Sequence, residues 1–236
     1  MADDNSRLPP RGREHDRAVR PARVPTSSAQ TAMCGNPPRP RSSLLHRPGY
    51  RSRMKWLSET YFRLTGWAIV GSAPDEPKFV AIGYPHTSNW DFFVYLAVIG
   101  HFGLKMRFLM HEGLFVGPLG WLFRQWGGIP VQGGTKAIVG TLVAAFNEAD
   151  VLRLAVAPEG TRAGGSRWKT GFWRIADGAD VPVAMAFVDR DTKQMGFGPS
   201  LKIDGDIEGW MAQAQTFYAD KQGLKPQNRG PIEFDR

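Results

Sequence analysis

Apolar residues are scattered without period over positions 1–53 and become regular from Met54 onward. Between Met54 and Trp67, the residues Trp56, Leu57, Thr60, Tyr61 and Leu64 recur at helical spacing, with Lys55 and Arg63 interleaved, which predicts an amphipathic helix. Beyond it, short apolar runs alternate with longer helical stretches. The predicted strands are 79–84, 106–110, 128–131, 152–157 and 181–188, and the predicted helices are roughly 90–102, 118–126, 136–149 and 171–178. The strand runs are continuous more than alternating, as in parallel strands buried on both faces. This order predicts an α/β fold, an open and mostly parallel sheet flanked by helices. Strand signals weaken after Asp189, where 195–203 reads as an edge hairpin and 209–221 as a closing helix.

Composition changes this picture at the N-terminus. Residues 1–53 hold eight of the eighteen Pro and eleven Arg against four acids, whereas residues 54–236 carry 19 basic and 18 acidic side chains. The net charge of +8 therefore belongs to a tail and not to the domain. Such a segment buries too little apolar surface to offset the entropy of ordering, so 1–53 is predicted to be disordered. It reads either as an Arg-rich arm for an anionic surface or, preferentially, as a start-site extension upstream of Met54. The domain is then 54–236.

The only cysteine, Cys34, lies in the tail, which excludes an intrachain disulfide and a Cys-rich metal site. No window approaches the run of about 18 apolar residues that a spanning helix requires. The N-terminus also lacks the basic-then-apolar order of a secretory signal. The aromatic-rich helix over 54–67 suits a bilayer surface, or else packs on the protein's own sheet, or bridges the two. A cytoplasmic protein, peripheral on the inner face of the cell membrane, is the expected location.

Two segments carry chemistry. The first is Tyr84-Pro-His-Thr-Ser-Asn-Trp-Asp91, after a strand and before an apolar helix, where open α/β sheets gather their sites. With His86 in the turn and Asp91 in the first helical turn, the carboxylate meets one imidazole nitrogen and the other is left as a base. Thr87, Ser88 and Asn89 are N-cap candidates. A lone His beside an Asp is ordinarily a capping or packing pair. The second segment alters that balance: a strand runs into a tight turn carrying Glu159, Gly160, Thr161 and Arg162. Gly160 permits close backbone approach, and Arg162 offers a bidentate anion donor.

Taken together, the two segments resemble the glycerolipid acyltransferase superfamily, PlsC-like, whose best-known members acylate lysophosphatidic acid. His86-Thr-Ser-Asn-Trp-Asp91 is similar to its first motif, a histidine–aspartate catalytic pair with four residues between them. Pro158-Glu-Gly-Thr-Arg162 is similar to the third, which helps bind the acceptor, and Val181-Pro-Val-Ala184 to the fourth, an apolar segment along the acyl path. The resemblance spans about 54–189. It implies a glycerol-3-phosphate acyltransferase-like fold. It also implies transfer of a fatty acyl group from acyl-CoA or acyl-carrier protein to the hydroxyl of a lyso-phospholipid or related acceptor. No cofactor is expected beyond that acyl co-substrate. The expected partners are the acyl donor, the lyso-lipid and a membrane surface, with no nucleic acid.

The second family motif is where the chain departs. Gly127–Gly134 resembles a block that normally ends in an acidic residue and an Arg, yet Gln132 and Gly133 stand there. The phosphate-binding Arg is absent: either another cation serves, with Lys136, Arg124 and Lys169 as candidates, or the acceptor is not a simple glycerol phosphate. Arg167-Trp-Lys-Thr-Gly-Phe-Trp-Arg174 resembles a block of some short family members. Lys169 is expected on a phosphate and Trp168, Phe172 and Trp173 over the acyl chain, unless the segment simply starts a core helix. No Gly-x-Ser-x-Gly elbow is present, so a direct displacement without acyl-enzyme is expected. Oxyanion stabilisation is assigned to amides near Gly160 or at the helix start after Asn89. Two rival readings remain: a catalytically silent lipid binder on this scaffold, and a nucleic-acid or anionic-surface binder driven by the tail. The near-neutral domain counts against the second.

Overall fold

Strands and helices follow from where the apolar side chains fall. The computed structural model describes residues 50–132, 138–162 and 164–235, with side chains from 53. The element order is α1 (Tyr50–Thr65), β1 (Ala68–Val70), β2 (Lys78–Gly83), α2 (Asp91–Phe102), β3 (Arg107–His111), α3 (Gly117–Gln125) and β4 (Gly128–Val131). It continues with α4 (Val139–Glu148), β5 (Leu152–Val156), α5 (Gly171–Gly178), β6 (Val183–Asp189), β7 (Gln194–Leu201) and α6 (Ile207–Tyr218). Short 3-10 turns occupy Glu112–Leu114 and Pro226–Asn228.

Seven strands form one sheet in the order β1-β7-β6-β2-β5-β3-β4. Every neighbouring pair is parallel except β6–β7. The central strand β2 is buried on both faces, and its side chains alternate between two cores. Val80, Ile82 and Tyr84 join the core made with α4, α5 and α6, while Phe79 and Ala81 join the core beneath α2. β6 divides in the same way, with Val183 and Met185 on the first face and Ala184 and Val188 on the second. This double burial is the physical reason the strand sequences run apolar without a break.

Helix α1 turns one face to the core and leaves another exposed. Ser58 is buried, Tyr61 and Phe62 pack on the α2 core, and Trp56, Leu57 and Leu64 remain exposed. The inward face crosses α2 at Gly100, where an added Cβ would stand 2.5 Å from Ser58 Oγ. Trp56 and Leu57 therefore point away from the core that Tyr61 serves.

Two expectations need correction. Segment 195–203 is not an edge hairpin: β7 is an inner strand, hydrogen-bonded antiparallel to β6 and parallel to β1. The edge strand β1 is only three residues long, too short for apolar alternation to reveal it. The N-cap of α2 is Trp90 and carries no side-chain cap. Ser88 Oγ instead accepts from Trp90 N–H at 3.2 Å, from a position two residues before the N-cap. The tail, 1–49, and the start of the 136–149 helix lie outside the described residues.

Candidate functional site

The site forms where the connections of two adjacent strands part. After β2 the chain turns to α2 on one face of the sheet, and after neighbouring β5 it reaches α5 on the other. Such a divergence opens a crevice at the carboxyl ends of the strands, the usual binding place in open α/β sheets. His86 stands on the loop leaving β2, and Glu159, Gly160, Thr161 and Arg162 stand on the loop leaving β5.

Asp91 opens α2 and is buried. Its Oδ2 accepts hydrogen bonds from the Thr87 and Ser88 amides, at 2.7 and 2.8 Å, and lies 3.2 Å from His86 Nδ1. The loop thus folds back on its own carboxylate, with Nδ1 of the imidazole, not Nε2, turned to Asp91. Asp91 Oδ1 is buried with no hydrogen-bond partner among the described residues. Leaving such an acceptor unmet costs about 1–3 kcal/mol, a sign that the residue is placed for the site more than for the fold.

Glu159 is 1% exposed, and both of its oxygens face backbone amides. Oε2 accepts from His86 N–H at 2.8 Å and Oε1 from Gly230 N–H at 3.1 Å. Burial pushes its carboxyl above the ordinary value, while those two amides and the imidazole pull against the rise. Gly160 turns the chain with φ +67°, and its N–H is committed to Ala157 O at 3.1 Å. Of the amides near Gly160 expected to meet an oxyanion, the Gly160 N–H itself is thus already taken in this arrangement.

A cavity of about 560 Å³ runs from His86 and Asp91 between α2 and the sheet, as far as Gly196 and Phe197. It exists because the strand positions facing α2 are small. Ala81, Ala155 and Ala186 line it, and Ala81 pairs with Ala155 across the β2–β5 ladder. Val94, Val98 and Phe108 supply an apolar wall, and the size is that of a small-molecule site. Gly160, Thr161, Arg162 and Lys169 line the same cavity, so the structure brings these together with His86 and Asp91.

Other expectations separate here. Lys136 lies outside the described residues. Arg124 stands over the Phe115 ring, 5.0 Å from its centroid, and does not line the cavity. Gln132 donates to Glu112 at 2.7 Å, so the family's acidic position carries an amide beside a carboxylate. Val181, Val183 and Ala184 sit in the cores and not on the cavity wall; Ala186, Phe187 and Val188 take that place. Trp168, Phe172 and Trp173 do not cover an acyl path either. They are buried on the opposite face with Trp210, Tyr218 and Phe234, because α5 packs on that side of β2.

Sequence reasoning assigned nothing to residues 222–235, yet this segment lies against the His86 loop. Asn228 Nδ2 donates to Thr87 O and Lys225 N–H to Thr87 Oγ1, both at 3.0 Å. Tyr84 O–H donates to Gly230 O at 2.6 Å, and burial pushes that phenol up to about 12, so the donor stays protonated. The available signal was faint: two glycines and the scattered apolar residues Leu224, Ile232 and Phe234, with no period.

Among the described residues no helix is long and apolar enough to cross a membrane, and no group of His, Cys, Asp and Glu is arranged to hold a metal.

Fold and site define an α/β protein with a histidine–carboxylate pair at the head of an apolar cavity. The acyltransferase family model matches residues 72–186, and over that stretch the chain is similar to acyltransferases. In structure it is similar to PlsC from Thermotoga maritima, a 1-acyl-sn-glycerophosphate (LPA) acyltransferase, with a TM-score of 0.53 and 18% identity. That match covers 76% of this chain and 82% of PlsC, and it speaks for the fold. No curated protein sequence matches the chain.

Proposed function

We propose that this protein transfers a fatty acyl group from acyl-CoA or acyl-carrier protein to the hydroxyl of a lyso-phospholipid or related lipid, at a membrane surface. The observation that carries this reading is the continuity of one cavity from the His86–Asp91 pair into an apolar space walled by Ala81, Ala155 and Val98. A fatty acyl chain is the substrate portion that fits such a space, and its carbonyl then lies at the polar end.

His86 Nε2 takes the proton of the acceptor hydroxyl as its oxygen attacks the thioester carbonyl. Asp91 fixes the ring and stabilises the imidazolium that forms. The tetrahedral intermediate collapses by breaking the C–S bond, and the imidazolium returns its proton to the leaving thiolate. The products are the ester and the free thiol. Arg162 and Lys169, exposed beside this end, suit the anionic groups of donor or acceptor. Lys169 serves the phosphate in place of the motif-two Arg, which Gly133 lacks.

Membrane docking is supported by apolar side chains near the mouth. Trp90 and Phe93 at the start of α2, and Val116, Leu119 and Trp121 around α3, are all more than half exposed. Aromatic residues in this position suit the headgroup region of a bilayer.

The test is turnover by the full chain in detergent, with labelled acyl-CoA and acyl-carrier protein donors and a panel of lyso-lipid acceptors. Ester formed by the wild type and absent from His86→Ala supports the reading. Equal turnover by both proteins contradicts it.

A further inference from the structure

We infer that the C-terminal strap, residues 222–235, is part of the reaction machinery, and that Asn228 is a positioning residue that holds the His86 loop in its working geometry. The inference rests on the proposed role of His86 as the base, and it concerns a segment beyond the family match at 72–186.

The strap is anchored at both ends. At its start, Gln222 N–H donates to Asp189 Oδ1 at 3.1 Å, at the end of β6. Near its finish, Trp168 N–H donates to Glu233 O and Asp235 N–H to Trp168 O, each at 2.8 Å. The Arg167–Glu233 ion pair at 3.0 Å and the stacking of Phe234 on Phe172 secure the same end. Between these anchors, Arg229 donates to Tyr218 O at 2.9 Å and lies over the Tyr84 ring. The middle of the strap is thus fixed by contacts that involve neither Asn228 nor Thr87.

That fixed middle presses on one residue. Thr87 receives Lys225 N–H on its hydroxyl and Asn228 Nδ2 on its carbonyl. Its own N–H goes to Asp91 Oδ2, the oxygen 3.2 Å from His86 Nδ1. Gly223, at φ +71°, brings the strap backbone so close that a Cβ would stand 2.9 Å from Thr87 Oγ1 and 3.2 Å from Pro85 Cβ. On the other side of the loop, Glu159 joins His86 N–H to Gly230 N–H. The polar groups of His86 and Thr87 that set the imidazole's position are therefore held partly by residues 225–230. No strap residue lines the cavity, so the strap acts through the loop and not on the substrate.

The anchors make this a specific claim. Asn228 contributes one amide donor to the loop, and its removal leaves the distant anchors in place. Loss of one such hydrogen bond corresponds to a change of about five- to tenfold in an equilibrium or a rate.

The test compares full-length wild type with Asn228→Leu, Asn228→Gln and His86→Ala. Four quantities are measured: kcat, KM for donor and acceptor, Tm, and amide hydrogen exchange. Asn228→Leu is expected to lower kcat about five- to tenfold with both KM values within about twofold, and to speed exchange of the Thr87 and Ser88 amides by about tenfold. Exchange in β2 stays at the wild-type rate. Asn228→Gln keeps the donor and is expected to retain at least about a third of wild-type kcat. Wild-type kcat and loop exchange in Asn228→Leu overturn the inference, as does equal loss in the Leu and Gln variants or faster exchange throughout β2. Should Asn228→Leu fail to fold, Thr87→Val removes the acceptor for Lys225 N–H and is held to the same outcomes. Full turnover by His86→Ala sinks the proposed function alone, because loop exchange still decides the role of the strap.

Discussion

The side chain of Glu159, 1% exposed, accepts a hydrogen bond on Oε2 from the backbone N–H of His86 at 2.8 Å. Its other oxygen accepts from Gly230 N–H at 3.1 Å. A carboxylate in the turn after β5 therefore ties together the loop after β2 and the C-terminal strap. Two accepted amides offset the cost of burying the charge, and a neutral side chain with one acceptor oxygen serves only one of them.

Glu159→Gln consequently leaves either the His86 or the Gly230 amide facing an NH2 group. Denaturant unfolding is expected to show a loss of about 1–3 kcal/mol, set by one unmet buried donor. Turnover falls as well, because the backbone of His86 loses its register. An unchanged midpoint together with unchanged kcat would contradict the bridging role.

The pH dependence of stability separates Glu159 from Asp189. Burial raises the Glu159 carboxyl above its ordinary value of 4.5. Its contribution is fully present below that ordinary value and is lost as pH rises through the raised one. The advantage of wild type over Glu159→Gln therefore shrinks from acid toward neutral pH. Burial alone would raise Asp189 too, but bonds from the Thr192 side chain and the Gln222 and Thr192 amides win and hold it below 3.8. Its contribution is present above that ordinary value and lost as pH falls through the lowered one. The advantage of wild type over Asp189→Asn is expected to disappear only in acid. Opposite slopes in paired unfolding curves are the predicted outcome.

On the proposed function, chain-length preference is set by the small side chains beneath α2. Ala155 lines the cavity opposite Val98 and pairs with Ala81. Ala155→Leu fills part of that space, and overpacking costs about 1–3 kcal/mol of stability. With donors of graded length, the variant is expected to keep short acyl chains and to lose long ones. Uniform loss at every length would mean that the chain lies elsewhere.

Vesicle binding tests the exposed rim. Trp90 and Trp121 are 67% and 58% exposed beside the mouth. The double change Trp90→Ser and Trp121→Ser removes two interfacial aromatics from the surface and leaves the cores intact. Sedimentation with phospholipid vesicles is expected to fall about tenfold or more, since full burial of one large apolar side chain is worth about 1.5–3 kcal/mol. Tm stays unchanged. Undiminished sedimentation would place the membrane contact on another face.

The α/β class and the inner strands were legible because β2 and β6 are sandwiched between helices and read as apolar runs, and β5 departs from that only at Arg153. The β1 strand was not, since three residues carry no period, and β7 was misplaced because Gly196, Gly198 and Pro199 obscure its pattern. In the site, the five-residue step from His86 to Asp91 and the turn at Glu159 were visible as local spacing. The exposed Arg162 and the buried Glu159 were not distinguishable, since burial depends on the strap that closes over one of them. The contact between Asn228 and Thr87 spans 141 positions and runs from a side-chain amide to a backbone carbonyl, which no local pattern records. Trp168, Phe172 and Trp173 read as substrate aromatics because the sequence does not say which face of the sheet α5 covers.

The most direct test is single-turnover acyl transfer by wild type, His86→Ala and Asp91→Asn, using whichever acceptor the wild type esterifies. His86→Ala is expected to lose about 10²–10⁴-fold or more, the range of general-base catalysis, and Asp91→Asn to fall in the same direction, with the fold preserved in both. A His86→Ala protein that turns over at the wild-type rate would contradict the account.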